Sequence, residues 1–182
     1  MVDVYSPLIL KWLKRSGLEG QDADDVVQEV LSVVFRRLSS FHRNEQAGSF
    51  RAWLRTIAVN CLRDFWRARR RRKAGAGLGS GNDEVQQMLE QLSDPASALS
   101  GIWDREHDRH VTQYLLQLIQ PEFSEKNWQA FTRVAMQGEP AKAVAEELEM
   151  TLNAVYIARS RVLTRLREEG RGMVESEFSP ET

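Results

Sequence analysis

The sequence predicts an all-α protein with two small helical domains joined by a flexible linker. Apolar residues recur at spacings of three and four in several separate segments, which is the period of amphipathic helices. A stretch rich in glycine and polar residues, 74–98, divides these segments into two groups and has the composition of a linker. With 182 residues and 42% apolar content, the chain can bury two small cores. We therefore expect domains over 1–73 and 99–172, followed by an acidic tail over 173–182.

Two helices are expected before the first long polar loop. The first lies within the amphipathic segment 4–15. It should begin near Pro7, because proline suits the first turn of a helix. The second should begin at Asp22, whose carboxylate can cap it. Its apolar stripe consists of Val27, Val30, Leu31, Val34 and Leu38. The opposite face carries Asp25, Gln28, Glu29 and Ser32, and the helix dipole favours the acidic members near the N-terminus.

The strongest helical period runs from Ser49 to about Lys73. Its apolar stripe consists of Phe50, Trp53, Leu54, Ile57, Ala58, Cys61, Leu62 and Phe65. From Arg51 to Lys73 nine basic residues accompany one acid, a net charge of +8. An outward row at helical spacing consists of Thr56, Asn60, Arg63, Arg67 and Arg70. A charged face is often simply solvated, but nine cations on one helix repel one another, which favours a polyanionic partner and salt-sensitive binding.

Three aromatic residues on this helix are candidates for stacking on unpaired bases, as in single-strand binders. Trp53 and Phe65 lie within the apolar stripe and are better explained as core. Trp66 lies off the stripe, so the sequence favours Trp66 as the stacking residue.

Four helices are expected in the second domain. The first carries Val111, Tyr114, Leu115 and Leu118 and is stopped by Pro121. Ser124 should cap the second, which buries Trp128, Phe131 and Ala135 and ends at Gly138. Pro140 suits the first turn of the third, whose inward positions are Ala141, Val144, Ala145 and Leu148. After a break at 149–151, the last helix buries Val155, Ala158, Val162 and Leu166.

The last two helices are short, adjacent and joined by a tight turn, as in a helix-turn-helix reader of the DNA major groove. The outward side chains of the second helix of the pair are Asn153, Tyr156, Arg159, Ser160 and Arg161. Side chains near its N-terminus would reach base edges while arginines farther along meet phosphates. A merely solvated helical hairpin is the alternative, because helix-turn-helix patterns also arise by chance.

Several classes of function find no support in the sequence. The single cysteine, Cys61, excludes a disulfide framework and indicates a reducing compartment. His42, His107 and His110 do not make a metal-site pattern, and the linker glycines follow a helix where a dinucleotide loop would follow a strand. We expect no catalytic residue, no metal and no cofactor. Neither a signal peptide nor a membrane-spanning run is present, so a cytoplasmic location is expected.

Two motifs resemble a known family. The run Asp-Ala-Asp-Asp-Val-Val-Gln-Glu-Val from Asp22, and Phe-Arg-Ala-Trp-Leu-Arg-Thr-Ile-Ala-Val-Asn-Cys-Leu-Arg-Asp-Phe-Trp-Arg from Phe50, look like region 2 of extracytoplasmic-function sigma factors. Residues 140–167 resemble region 4 of the same family. Alanine-valine-tyrosine at 154–156 replaces the threonine-valine-lysine common in these proteins, and Arg159 stands at a commonly apolar position.

The resemblance implies that the chain binds core RNA polymerase and directs it to promoter DNA. The polymerase clamp, in the largest subunit, would contact Asp25, Gln28, Glu29 and Ser32. The −10 element would be handled by Asn60, Arg63, Trp66, Arg67 and Arg70, and the loop 42–48 would capture a flipped base. The second domain would rest on the polymerase flap and read the −35 element through Asn153, Tyr156, Arg159, Ser160 and Arg161. The resemblance also allows for an anti-sigma factor as a further partner.

Two other functions stay open at this point. A conventional helix-turn-helix regulator would bind specific duplex DNA without polymerase, its first domain binding an effector or dimerising. An adaptor would use the acidic and basic helices only for protein contacts, without reading DNA.

Overall fold

The structure, a computed structural model, describes residues 2–39, 41, 49–75 and 83–170. Most of these residues are helical and none forms a strand, which confirms the predicted all-α class. The described helices are α1 (Val2–Arg15), α2 (Gly20–Leu38), α3 (Ser49–Gly75), α4 (Asp83–Ser93), α5 (Ala98–Ile119), α6 (Glu125–Phe131), α7 (Ala141–Glu147) and α8 (Leu152–Glu169). A 3₁₀ turn at Gln120–Glu122 follows α5, and a π turn at Thr132–Met136 follows α6.

The chain divides into two compact units at a point that the sequence does not reveal. The first unit extends to His110 and the second begins at Val111, so α5 contributes to both. The sequence reading places a linker over 74–98 and the second domain from residue 99. In the structure, α4 and the first half of α5 belong instead to the first unit.

Two helix starts also differ from those predicted. α1 begins at Val2 and contains Pro7, and the hydroxyl of Ser6 donates a hydrogen bond of 2.8 Å to the carbonyl of Val2. Its well-buried face, which includes Trp12, offsets the backbone hydrogen bond that proline cannot make. α2 begins at Gly20, so Asp22 lies in the first turn and is not the cap. There its charge still interacts favourably with the helix dipole.

α3 is buried on more of its circumference than a single apolar stripe would allow. On one side it packs against α2, and on another it contacts α4. The buried positions therefore include Val59, Arg55 and Trp66, none of which the stripe contains. α5 supplies acids to this region, where Asp104 accepts a 2.7 Å hydrogen bond from the buried guanidinium of Arg55.

α1 and the first half of α5 meet through aromatic rings. Trp12 and Trp103 have ring centroids 5.1 Å apart, and Tyr5 stacks on His107 at 5.8 Å. All four side chains are buried. These contacts explain why the first unit requires residues beyond the predicted boundary at 73.

The second unit has a compact core of small and β-branched side chains. α8 packs on α6 and α7, and the cluster consists of Ala130, Val144, Ala145, Val155 and Ala158, flanked by Val134, Ala141, Leu148 and Met150. The cap at Ser124 is confirmed, since its side chain accepts a hydrogen bond from the Asn127 amide. Ala135 was predicted to be buried and is exposed. The π turn widens the helix after Phe131, so that Val134 packs on the core instead.

Candidate polymerase and nucleic-acid interfaces

The acidic face of α2 is exposed as predicted. Its side chains Asp25, Gln28, Glu29 and Ser32 all face solvent in the first unit. Asp25 accepts a hydrogen bond of 2.8 Å from Gln21, and Glu29 forms a 3.3 Å ion pair with Arg36. Both partners of that pair are more than half exposed, so it constrains the face little.

One residue on this face was missed by the sequence reading. Phe35 lies ten residues after Asp25 and one turn beyond Ser32, and it is 52% exposed. Its position next to the polar group shows that the surface combines charge with one large apolar side chain. The signal was available in the sequence, because Phe35 falls outside the stripe Val27, Val30, Leu31, Val34.

The basic face of α3 is only partly open. Asn60, Arg67 and Arg70 are exposed, as is Thr56, whose hydroxyl donates to the Ala52 carbonyl at 2.9 Å. Arg67 pairs with Asp64 at 3.1 Å on the surface. Arg63 is half-buried and donates to the hydroxyl of Ser93 at 2.7 Å.

The proposed stacking role of Trp66 conflicts with the structure. Trp66 is buried, with 7% of its surface exposed, whereas Phe65 is half-buried. The two rings meet edge to face at 5.5 Å, and the guanidinium of Arg69 lies 5.4 Å from the Trp66 ring centroid. The prediction is wrong because α4 covers this side of α3, whereas the sequence assigns this segment to the linker, with at most a short helix around Glu84 to Leu92.

The net charge of +8 on the α3 segment overstates the positive charge that is available to a polyanion. Arg55 and Arg51 pair with Asp104, and Arg51 also pairs with Asp108, within the first unit. Arg69 forms a 2.7 Å ion pair with Asp22 of α2. These three arginines serve the fold. The cations on the outward row also have partners within the first unit, so a ligand would have to replace Asp64, Ser93 and Gln86.

A groove between α2 and α3 connects the two surfaces. Its volume is 480 Å³, and Asp25 and Glu29 line one side while Asn60, Cys61 and Phe65 line the other. Partial burial raises the pKa of the Cys61 thiol to about 11, and the carboxylates of Glu29 and Asp64 add to the rise. The thiol therefore stays protonated and unreactive at neutral pH.

This protonation state gives a direct prediction. At pH 8 we expect iodoacetamide to modify Cys61 about a hundredfold more slowly in the folded chain than in the chain unfolded in urea. The reason is that the thiolate fraction at a fixed pH falls about tenfold for each unit by which the pKa of the thiol rises. The single cysteine makes total thiol loss a measure of this one site. Equal rates in the two states would contradict the assignment.

α8 presents most of the predicted recognition residues. Asn153, Tyr156, Ser160 and Arg161 are exposed, and the hydroxyl of Thr151 accepts from the Ala154 amide at 3.1 Å to cap the helix. Arg159 differs, since it is half-buried and its Nε is buried without a hydrogen-bond partner among the described residues. Position 159 follows the core residue Ala158 directly, which places it at the edge of the inward face.

Two exposed aliphatic residues on α8 were not predicted. Leu152 and Ile157 are each 43% exposed. Elsewhere in the second unit, Arg165 and Arg133 are committed to carboxylates, Arg165 to Glu122 at 2.7 Å and Arg133 to Glu139 at 2.6 Å. These ion pairs lower the pKa of both carboxyl groups.

Comparison with known proteins addresses the first unit. Residues 1–72 match the family model of sigma-70 region 2. No curated protein and no solved structure matches the chain. The match supports a sigma-70 family sigma factor with a role in transcription initiation and in binding RNA polymerase. Within the described residues, no helix is both long and apolar enough to cross a membrane.

Proposed function

We propose, from the sigma-70 region 2 at residues 1–72, that this chain is a sigma factor of the extracytoplasmic-function type. The acidic face of α2 docks on the polymerase clamp, the outward row of α3 engages the −10 element, and α8 reads the −35 element. The observation that carries the proposal is the match of residues 1–72 to sigma-70 region 2. In the same unit, α2 exposes all four residues that are predicted to contact polymerase.

The −10 function rests on Asn60, Arg67 and Arg70, which are exposed on α3. An amide can pair with a base edge, and guanidinium groups can bind phosphates. Arg63 contributes only if it leaves Ser93, and Trp66 is no longer proposed as a stacking residue. The predicted base-capturing loop, 42–48, lies outside the described residues.

The −35 function rests on the second unit, with Asn153, Tyr156, Ser160 and Arg161 toward the bases and Arg159 at the edge. Residues 150–167 contain four arginines and no acid, which suits a polyanion even though Arg165 is held by Glu122. One polymerase would hold both DNA-reading units, so that two weak contacts act together at high effective concentration. We propose that the second unit binds the polymerase flap. The proposed location of the protein is the cytoplasm, and an anti-sigma factor is a proposed partner.

Reconstitution tests this proposal. The purified chain is mixed with bacterial core polymerase and a randomised promoter library, and transcripts are sequenced. We expect transcripts to start downstream of a shared pair of elements only when both proteins are present. Specific duplex binding by the chain alone would identify a conventional regulator. Polymerase binding without promoter-dependent transcripts would identify an adaptor.

A further inference from the structure

The outer face of α8 has an isoleucine at its centre. With 100° between successive residues, Asn153, Ile157, Ser160 and Thr164 form the middle of the exposed face. The buried residues Val155, Ala158, Val162 and Leu166 occupy the opposite side. Ile157 keeps 43% of its surface exposed between two hydrogen-bonding neighbours, Asn153 and Ser160.

The charge around this face indicates what covers it. Arg161 is exposed next to Ser160, and an acid of α8 first appears at Glu168, near the end of the helix. A protein surface that buried Ile157 would have to accommodate this cation, whereas a DNA phosphate pairs with it. The face therefore suits the major groove, where an aliphatic side chain has one distinctive partner. Among the four bases, thymine alone presents a methyl group there, at C5.

We propose that Ile157 contacts the C5-methyl of a thymine in the −35 element and so sets the base preference at one position. This inference rests on the proposed −35 function of α8. Asn153 and Ser160, one turn to either side, supply hydrogen bonds to adjacent base edges. The preference for thymine is thus assigned to an aliphatic side chain, which a search limited to polar base-contacting residues would miss.

The test replaces thymines by deoxyuridine, which lacks only the methyl group. Each thymine in the −35 element of a promoter selected by the reconstituted holoenzyme is replaced in turn, and holoenzyme affinity is measured. At one position we expect affinity to fall about fourfold, the value for burial of one methyl group. In Ile157→Ala the same replacement should have no effect, because the contact is already lost.

The matched control is Leu152→Ala, since Leu152 is equally exposed but lies at the edge of the face. It should retain the fourfold effect of deoxyuridine. No effect at any thymine in the unsubstituted protein, or an equal effect in Ile157→Ala, overturns the inference. Failure of the holoenzyme to bind any promoter would instead overturn the proposed function.

A separate observation in the first unit concerns α4. Arg63 donates to the Leu89 carbonyl at 3.4 Å and to Ser93, and Arg70 donates to the side-chain oxygen of Gln86 at 3.3 Å. α4 also lies over Trp66, and a cavity of 460 Å³ between the helices is lined by Arg63, Trp66, Arg67, Arg70, Arg71, Gln86, Leu89 and Glu90. Part of the predicted −10 face is therefore already occupied by the chain itself.

The attachment of α4 is weak by three measures. The helix has 11 residues and buries only Leu89 and Leu92. A helix of that length is marginal without its packing. Its contacts to Arg63 and Arg70 are hydrogen bonds to neutral oxygens, whereas a phosphate carries the opposite charge and can accept two parallel hydrogen bonds from one guanidinium. The indole nitrogen of Trp66 is buried without a hydrogen-bond partner among the described residues, which adds a cost to the covered state.

We infer that α4 is a displaceable cover of the α3 arginines, which promoter DNA replaces when the holoenzyme binds. This inference also rests on the proposed function. Phosphates would exchange for Gln86 and Ser93 as partners of Arg70 and Arg63. In the free chain the cover lowers the affinity for DNA, so that binding depends on polymerase.

Hydrogen exchange on the full chain in the holoenzyme tests this exchange of partners. Adding promoter DNA should increase exchange of the amides in 83–93. Independently, Gln86→Ala with Ser93→Ala should raise the affinity of the free chain for DNA by up to about tenfold and steepen its salt dependence. These substitutions leave Leu89 and Leu92 in place, so the fold is retained.

Gln87→Ala with Gln91→Ala is the matched control, because both side chains are exposed on α4. It should leave DNA affinity unchanged. Unaltered or slower exchange over 83–93 in a holoenzyme that transcribes overturns the cover while the proposed function stands. So does unchanged affinity in the Gln86 and Ser93 variant.

Discussion

Replacing Asp25 and Glu29 by lysine should reduce capture of core polymerase by about a hundredfold or more. Both carboxylates are exposed on α2. In the proposed docking on the polymerase clamp, reversal would turn two attractive contacts into repulsive ones, which cost several kcal/mol together. Fluorescence anisotropy of the labelled chain, titrated with core enzyme at several salt concentrations, measures the effect. The difference should shrink as salt rises, because exposed charges are screened.

The matched control for this experiment is Asp3→Lys with Glu19→Lys. It makes the same change in net charge at exposed acids of the same unit that lie outside the α2 face. Circular dichroism should show unchanged helicity for both pairs. Full capture by the Asp25 and Glu29 variant, or equal loss in the control, would remove the assignment of this face to polymerase.

Asp104→Ala should destabilise the first unit by about 3 kcal/mol. Arg55 is 5% exposed and donates to Asp104 at 2.7 Å. Among the described residues, the substitution leaves this buried cation with only the Ser100 carbonyl, at 3.4 Å, as a polar partner. Removing one partner of a buried pair is costly because the other charge stays desolvated. Urea unfolding followed by circular dichroism measures the loss as a lower midpoint.

Asp64→Ala provides the comparison, because Asp64 pairs with Arg67 and both side chains are at least two-thirds exposed. Its effect should stay below about 0.5 kcal/mol. Residue-resolved hydrogen exchange adds a second criterion. Asp104→Ala should increase exchange in α3, although the sequence reading placed residue 104 in the second domain. A loss confined to residues beyond 110 would show that the ion pair does not stabilise the first unit.

The sequence predicts burial correctly where the buried side of a helix is one apolar stripe, and it predicts helix ends where one residue imposes the backbone geometry. The α8 core positions Val155, Ala158 and Val162 are all buried, as their spacing predicts. Pro121 ends α5 and Gly138, with φ of +72°, follows α6, since each residue imposes a backbone geometry that is independent of distant contacts. The four polar residues of the α2 face are exposed for a separate local reason, because their burial would leave hydrogen-bonding groups unpaired.

The sequence predicts burial less well where a helix is also buried outside its apolar stripe. α3 buries Arg55, Val59 and Trp66, which do not belong to that stripe. Arginine there is buried only because an acid on α5 pairs with it. The partner of a charged residue cannot be identified from the period of its own helix. The aromatic role assigned to Trp66 failed for this reason.

The all-α class, the polar face of α2, the basic outward row of α3 and the exposed face of α8 can be predicted from the residues alone, because they follow from the local period and from the cost of burying polar groups. Three features are visible only in the folded chain: residues 83–110 complete the first unit, Arg63 and Arg70 contact α4, and Arg55 is structural. Those features depend on which surfaces meet, and a pairing between distant segments is a property of the folded chain as a whole.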